Sequence, residues 1–398
     1  MIVALTHSFS NPPAFGGSVR TFNILSQLSK YDATELIYPR SYFVKTKLLF
    51  ENECYSSQFF GRAIRSGPIM SAVSSISTGD RTASVASSFA IFPLSYPLLL
   101  RRTLEKGFHN LRFLIFEHAY PYSVVRRRLA KKYSGQIIYD AHNVEYDHLV
   151  TDSAGFYRPV ARSIFGIERQ LCESSEAILV VSASDRLRLS QLYHLALNKI
   201  HVLPNGVDCE AIRPANSGDH TLTKRALDLA NRPIVLFIGG AIKPNVDALY
   251  FIEDLASKLT GITFLIVGKV SMFSKNHKNN LVTMGEVSER RKNIALAAAD
   301  VAINPVDQGT GTSLKMTEYL AAGLPIVTTP IGSRGMNLNK EAIISSREGF
   351  IECIKYIINN PQVGKEMGIA GRQLAKSFDW KNLVQTAWSE VLCKISMA

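Results

Sequence analysis

The chain lacks the marks of several protein classes. Its five cysteines (Cys54, Cys172, Cys209, Cys353 and Cys393) lie far apart and form no CxxC pair. That spacing argues against a disulfide scaffold and a cysteine zinc site and fits a reducing cytosol. No H-x-x-x-H motif or carboxylate cluster suggests a bound metal. The longest apolar stretch, Phe89–Leu100, is broken by Pro93, Ser95 and Pro97 and is too short to span a bilayer. Met1–His7 has no basic segment and too short an apolar run for a secretory signal. The dinucleotide fingerprint GxGxxG is absent, which argues against a Rossmann dehydrogenase. No internal repeat or low-complexity tract is evident. From these absences a cytoplasmic protein, soluble or peripheral, is expected.

Acidic side chains are in deficit: 33 Asp and Glu stand against 45 Lys and Arg, a net charge of +12. The excess points to acidic partners, and it is local, because Arg101–Lys132 alone carries nine basic and two acidic side chains. Within it, Leu98–Leu104 and Val124–Lys132 read as amphipathic helices with cationic faces. Such faces are commonly just solvated, but they also suit an anionic membrane surface. No nucleic-acid recognition motif accompanies the patch. With 46% hydrophobic and 20% charged residues over 398 positions, the composition excludes disorder and accommodates two domains.

Short β-rich runs alternate with helical stretches. They are Ile2–His7, Thr34–Tyr38, Leu111–Glu117, Gln136–Asp140, Ala177–Ser182 and Lys199–Pro204, then Pro233–Ile238, Ile262–Gly268, Leu281–Gly285, Val301–Pro305 and Pro325–Thr329. Runs such as Ile234–Ile238 show no polar alternation, which predicts an α/β fold of parallel sheets covered on both faces. The pattern pauses between Asp208 and Arg232, where Pro214, Asn216, Ser217, Gly218 and Asp219 read as a linker. Ser41–Ser88 shows no clear period and receives no function.

Ligands in such folds bind beyond the carboxyl ends of strands. After the first strand, Gly16-Gly17 precedes a helical pattern and offers N–H groups to an anion, although such a pair is often only a turn. The richest segment runs from Asn304 to Pro330. Its loop Gln308–Ser313 supplies small residues and backbone N–H groups ahead of a helix, a phosphate-cradling pattern. Lys315 and Glu318 share one face of that helix. In the first half, His118 and His142 follow successive strands, with Asp140 and Glu145 nearby. A lone histidine is commonly a hydrogen-bonded structural residue; the pair makes a stronger case, and His118 is favoured.

Glu318-Tyr-Leu-Ala-Ala-Gly-Leu-Pro-Ile-Val327 resembles the second half of the signature of retaining GT-B glycosyltransferases of family 4 (group 1). The first glutamate of that signature falls at Thr310. The G-x-G-x-x-x-K run Gly309–Lys315 is similar to one branch of the family. Pro204-Asn-Gly-Val-Asp208 resembles the interdomain PNGVD, Val282–Val287 the loop framing the base, and Phe378-Asp-Trp380 the opening of the last helix. Phe237-Ile-Gly-Gly240 with Pro244–Leu249 resembles the loop facing the diphosphate, with Gly240 and Asn245 where many relatives have arginine and lysine.

The resemblance implies a GT-B architecture, two Rossmann-like domains facing across a cleft. Residues 1–205 would form the acceptor-side domain, 206–375 the nucleotide-sugar domain, and 376–398 a helix returning to the first. It implies transfer of a hexosyl group, with retention, from a UDP- or GDP-sugar to a glycan or lipid-linked acceptor, without cofactor or metal. A peripheral place on the inner face of the cell membrane would suit such an acceptor. Glu318 would hold the ribose. Lys243, Lys269 or Lys315, with backbone N–H groups, would meet the diphosphate, and Asp307 is a candidate to replace the first glutamate. The donor set is Gly239, Gly240, Lys243, Gly285, Val287, Gly309, Thr310, Gly311, Thr312, Ser313 and Glu318. His118, Lys315 and Glu318 would be catalytic, and Gly16 and Gly17 would form the acceptor-side loop. Two rivals share the architecture: a nucleotide-sugar epimerase and a catalytically degenerate partner subunit.

Overall fold

The computed structural model describes residues 1–6, 16–40, 50–56, 59–65, 111–152, 158–229, 232–275, 279–309 and 312–397. The chain divides into two compact units, Met1–Pro204 with Val384–Ala398, and Asn205–Leu383.

The first unit is built on a sheet of order β3-β4-β2-β1-β5-β6-β7-β8. Its strands are β1 (Ile2–Leu5), β2 (Thr34–Arg40), β3 (Phe50–Ser56), β4 (Phe59–Arg65), β5 (Phe113–Phe116), β6 (Gln136–Ala141), β7 (Ala177–Val180) and β8 (Ile200–Val202). All neighbours run parallel except β3 and β4, which pair antiparallel at the edge. This hairpin lies within Ser41–Ser88, where sequence periodicity gave no elements, and it makes the sheet mixed, not purely parallel.

The second sheet has the order β11-β10-β9-β12-β13-β14. Its strands are β9 (Ile234–Ile238), β10 (Thr263–Val267), β11 (Leu281–Gly285), β12 (Val301–Asn304), β13 (Ile326–Thr328) and β14 (Ala342–Ile344). Counted from β9, this is the doubly wound order 3-2-1-4-5-6. The missing polar alternation in β9 has a direct cause. Ile234 and Leu236 pack into one helix-covered layer, Val235 and Phe237 into the other, and all four are buried. A two-residue period therefore sends apolar side chains both ways.

The segment read as a linker contains a ten-residue helix, Ser217–Ala226. Asn216 caps it, Oδ1 accepting from the Asp219 N–H at 2.8 Å, and Lys224 and Arg225 occupy its last turn. These end signals favour a helix despite the polar composition. The chain passes from the first unit to the second at Pro204–Asn205. Near the other end, Val207 and Asp379 form a backbone bridge, and the Trp380 N–H donates to the Val207 carbonyl at 3.1 Å. The helix Trp380–Met397 follows; from Val384 onward it belongs to the first unit, where the Trp388 ring meets Phe113 edge-on at 5.0 Å.

The helix after the glycine-rich loop, Leu314–Ala321, buries Met316, Tyr319 and Leu320. The Ile238 N–H donates to the Tyr319 hydroxyl at 2.8 Å, tying the helix to the end of β9. Gly323 terminates it with φ +66°, a left-handed geometry suited to glycine. A Cβ on Gly368, in the helix Pro361–Ala375, would lie 2.1 Å from the Gly323 carbonyl oxygen, so this approach also requires glycine.

Candidate functional site

Strand order reverses between β9 and β12 in the second sheet and between β1 and β5 in the first. Such switch points open crevices at the strand ends. The sequence-predicted residues fall into two groups, one in each unit.

In the second unit β9 runs into Gly239, buried, and Gly240, exposed, with open space where a Gly240 side chain would stand. Asn245 is buried at the start of the helix Lys243–Lys258. Its Nδ2 donates to the Gly240 carbonyl at 3.0 Å, and its Oδ1 accepts from Lys315 Nζ at 2.9 Å. Lys315 also stands 4.2 Å from the centre of the Phe237 ring. Burial pulls its ammonium down to about pKa 7, with Glu318 acting in the opposite sense.

The other two lysines are committed elsewhere: Lys243 pairs with Asp247 at 2.6 Å and Lys269 with Glu286 at 3.2 Å. Gly285 has φ +67°, and Val287 packs partly buried against the core. The loop after β12 is held by two arginines. Arg347 Nε donates to the Pro305 carbonyl at 2.8 Å and its Nη1 pairs with Asp307 at 3.0 Å; Arg334 Nη1 donates to the Gly309 carbonyl at 2.6 Å. Asp307 is thus already paired. Gly309 has φ +125°. Thr312 accepts from Asn205 Nδ2 at 2.9 Å, and Ser313 caps the helix by position without a side-chain bond. Thr310 and Gly311 lie outside the described residues.

Glu318 is paired to a residue that sequence reasoning missed. Lys292, on the helix Glu289–Ala298, donates to Glu318 Oε1 at 2.6 Å and lies 2.8 Å from Glu289 Oε2. Burial lowers the Lys292 pKa, but the two carboxylates outweigh it and the net shift is upward. Its i,i+3 relation to Glu289 is visible in sequence; its approach to Glu318 needs the fold.

In the first unit Phe116 of β5 registers with Tyr139 of β6, which places the following residues Glu117 and Asp140 side by side. His142 Nε2 lies 3.0 Å from Glu117 Oε2 and 3.3 Å from Asp140 Oδ2. Sequence spacing gave no carboxylate cluster; the sheet makes one, with ligand-type atoms of Glu117, Asp140 and His142 within 4.8 Å of one another. Its charge is met from within the chain. Arg20 clamps Asp140 through Nη2 at 2.6 Å and Nε at 3.1 Å, and Thr21 donates to Glu117 at 2.8 Å. Two carboxylates therefore face two cations, Arg20 and protonated His142.

Burial alone would lower the His142 pKa, but its bonds to Asp140 and Glu117 raise it to about 9. Burial also raises Asp140, yet Arg20 and His142 hold it well below the usual carboxylate range. His118 follows the opposite course. Burial and the His142 charge lower its pKa, against the pull of Glu145. Its Nδ1 lies 2.5 Å from Glu145 Oε1, and Tyr120 donates to Glu145 Oε2 at 2.9 Å. A neutral ring donating at Nδ1 carries its lone pair at Nε2. Glu168 braces this arrangement by accepting from the Glu145 and Tyr146 N–H groups and from Tyr139 and Tyr193. Gly16 and Gly17 open the helix that carries Arg20 and Thr21. Arg20, Thr21, Glu117, Lys292 and Glu168 went unread in sequence, since each acts through a distant partner.

His142 yields a pH prediction. Its folded pKa of about 9 exceeds the ordinary 6.5, so its stabilisation is fully present below pH 6.5 and is lost as pH rises through about 9. The shift corresponds to roughly 3 kcal/mol. Lys315, lowered to about 7, runs the other way, so the informative quantity is the difference between wild type and His142→Gln. Urea unfolding at pH 6.5 and 9.5 is expected to show the His142→Gln deficit shrinking at the higher pH; a constant deficit contradicts the assignment.

The basic-patch residues Arg101–Asn110, and the side chains of residues 127–132, lie outside the described residues. Among the described residues no helix is long and apolar enough to cross a membrane.

The two-Rossmann frame and its switch-point loops define the GT-B class. The chain resembles the solved sucrose-phosphate synthase from Thermosynechococcus elongatus with a TM-score of 0.75 at 14% identity, covering 100% of this chain and 99% of that one. The sequence model described as "Glycosyltransferase Family 4" matches residues 78–211, and that described as "Glycosyl transferases group 1" matches residues 232–360. The chain belongs to the family 4, group 1 glycosyltransferases. It is 24% identical over 258 residues to a glycogen synthase of Mycobacterium tuberculosis, covering 58% of this chain and 57% of the relative. It is 30% identical over 158 residues to the Escherichia coli UDP-Gal:alpha-D-GlcNAc-diphosphoundecaprenol alpha-1,3-galactosyltransferase, covering 36% and 40%. The matched segments thus span about half the length of these curated relatives.

Proposed function

We propose that the chain transfers a hexosyl group, with retention, from a nucleoside-diphosphate sugar to a hydroxyl of a glycan or lipid-linked acceptor. The second unit binds the donor and the first serves the acceptor. The observation that carries this reading is the second switch point. There a cation without a carboxylate partner among the described residues, Lys315, and a carboxylate, Glu318, stand one helical turn apart behind a glycine–threonine loop. A diphosphate suits the first and a ribose hydroxyl the second. The E. coli relative, named for a UDP-galactose donor and a diphosphoundecaprenol-linked acceptor, supports a UDP-sugar and a lipid-linked acceptor.

In the reaction the sugar C1–O bond breaks with its electron pair passing to the diphosphate. The acceptor oxygen forms the new bond to C1, and its proton passes to the departing diphosphate. Lys315 and the N–H groups of the loop and helix terminus stabilise the negative charge that develops on the diphosphate. Glu318 fixes the ribose so that the reacting bond is held in register. His118, whose ring is oriented by Glu145, serves the acceptor side.

The test is a thermal-shift series with UDP-, GDP- and ADP-sugars followed by product analysis. A ligand at 100 times its Kd stabilises by about 2.7 kcal/mol, a readily measured rise in Tm. The expected result is a rise with UDP-sugars and slow release of UDP and free sugar without acceptor. Interconversion of the nucleotide-sugar would assign an epimerase instead, and no rise with any donor would assign a degenerate partner.

A further inference from the structure

A carboxylate and an ammonium three residues apart on a helix ordinarily pair. Lys315 and Glu318 have that spacing, yet no ion pair joins them among the described residues. Glu318 Oε1 is taken by Lys292 at 2.6 Å, while Lys315 turns to the neutral Asn245 Oδ1 at 2.9 Å and the face of Phe237 at 4.2 Å. Lys292 and Glu318 are 14% and 16% exposed, and the third member, Glu289, is 69% exposed. One ammonium thus holds two carboxylates. Glu318 Oε2 accepts no hydrogen bond among the described residues.

We infer that Lys292 is a positioning residue of the donor site: by engaging Glu318 Oε1 it keeps that carboxylate from Lys315. Oε2 is then presented to a ribose hydroxyl, and the Lys315 ammonium stays available to a diphosphate. The inference rests on the reading of Glu318 and Lys315 given above.

Its physical content is competition. Without Lys292, Glu318 loses its partner while the like-charged Glu289 stays close, and Lys315 is a cation one turn away on the same helix. Pairing there would turn Oε2 from the ribose and neutralise the charge meant for the diphosphate. One substitution would remove two recognition elements, and deleting the Glu318 charge should give one of them back.

The experiment is calorimetric titration with UDP, GDP and ADP, which share the ribose and the diphosphate. It uses wild type, Lys292→Met, Lys292→Arg, Glu318→Gln and the Lys292→Met/Glu318→Gln double variant, with Tm recorded for each. For the tightest of the three ligands, Lys292→Met is expected to weaken binding about 10-fold or more, at least as much as Glu318→Gln; the double variant should bind no worse than Lys292→Met. Lys292→Arg, which keeps a cation at the carboxylate, should stay within about 3-fold of wild type. Should Lys292→Met fail to fold, Lys292→Gln takes its place.

Wild-type affinity in Lys292→Met together with weakened Glu318→Gln overturns the role of Lys292 alone. So do losses that simply multiply in the double variant, which would mark a structural role. No binding by wild type, or no effect of Glu318→Gln, overturns the donor-site reading and this inference with it.

Discussion

Lys315→Met is expected to lower turnover of the nucleotide-sugar by about 10²–10³-fold, the usual cost of removing one group aimed at charge that develops in a transition state. The Lys315 ammonium is fixed by its surroundings. It is half-buried, bonded to a neutral amide oxygen and seated over an aromatic face. Each partner orients it; none neutralises it. Lys243 and Lys269, the other basic side chains expected near a diphosphate, are held by Asp247 and Glu286.

The burial that keeps Lys315 uncompensated also lowers its pKa to about 7. Above that pH the unliganded site is increasingly neutral, and a bound diphosphate would draw a proton back onto the amine. Affinity for UDP should therefore decline as pH rises through 7, with close to one proton taken up per ligand at pH 8. Calorimetry in buffers of different ionisation enthalpy reads that proton. Lys315→Arg, which does not deprotonate in this range, should bind without it. Turnover unchanged in Lys315→Met, or proton uptake unchanged in Lys315→Arg, removes Lys315 from the site.

The parts of the molecule legible in sequence share one property: their determinants are local. β9, β10 and β12 read as strands because helices on both faces make every position apolar. The helix after Ser313 announces itself through the loop before it and Gly323 after it. The parts that were not legible depend on distant neighbours. Glu117 and Asp140 become a pair only through the parallel register of β5 and β6. Arg20 finds its carboxylate 120 positions away, and Glu318 finds Lys292 on another helix. The Lys315–Glu318 spacing placed both on one helix face; tertiary contacts give each a different partner. β14 is three residues long and half polar in setting, with burial falling from Ala342 to an exposed Ile344, too short to carry a period. In the helix Ser217–Ala226 no residue is buried, so it has no apolar stripe to read.

The second large effect is on stability. Arg20→Met is expected to destabilise the first unit by about 3–5 kcal/mol, the cost of leaving one partner of a buried ion pair uncompensated. Arg20 is 1% exposed, and its guanidinium donates to both Asp140 oxygens, to the Leu203 carbonyl at 2.8 Å and to the Pro204 carbonyl at 3.4 Å. Methionine fills much of the volume but leaves Asp140 fully buried beside Glu117, with His142 as the remaining cation for both among the described residues. The loss is a large fraction of the stability of a typical domain, so the variant should be measured in mild urea at low temperature.

Two controls separate charge from packing. Arg20→Met/Asp140→Asn should recover part of the loss, because the stranded charge is gone while the cavity and the Leu203 carbonyl remain as they were. Lowering the pH should also narrow the gap. In wild type, Asp140 is held below its ordinary range, so its contribution is present above about pH 3.8 and disappears as pH falls through the depressed folded value. In Arg20→Met that contribution is already missing, and protonation relieves the variant first. A double variant no more stable than Arg20→Met, with a gap that does not change with pH, would assign the loss to packing and the backbone carbonyl. Asp140 would then owe its ionisation to His142, and the histidine, not the arginine, would be the cation that holds the β5 and β6 strand ends together.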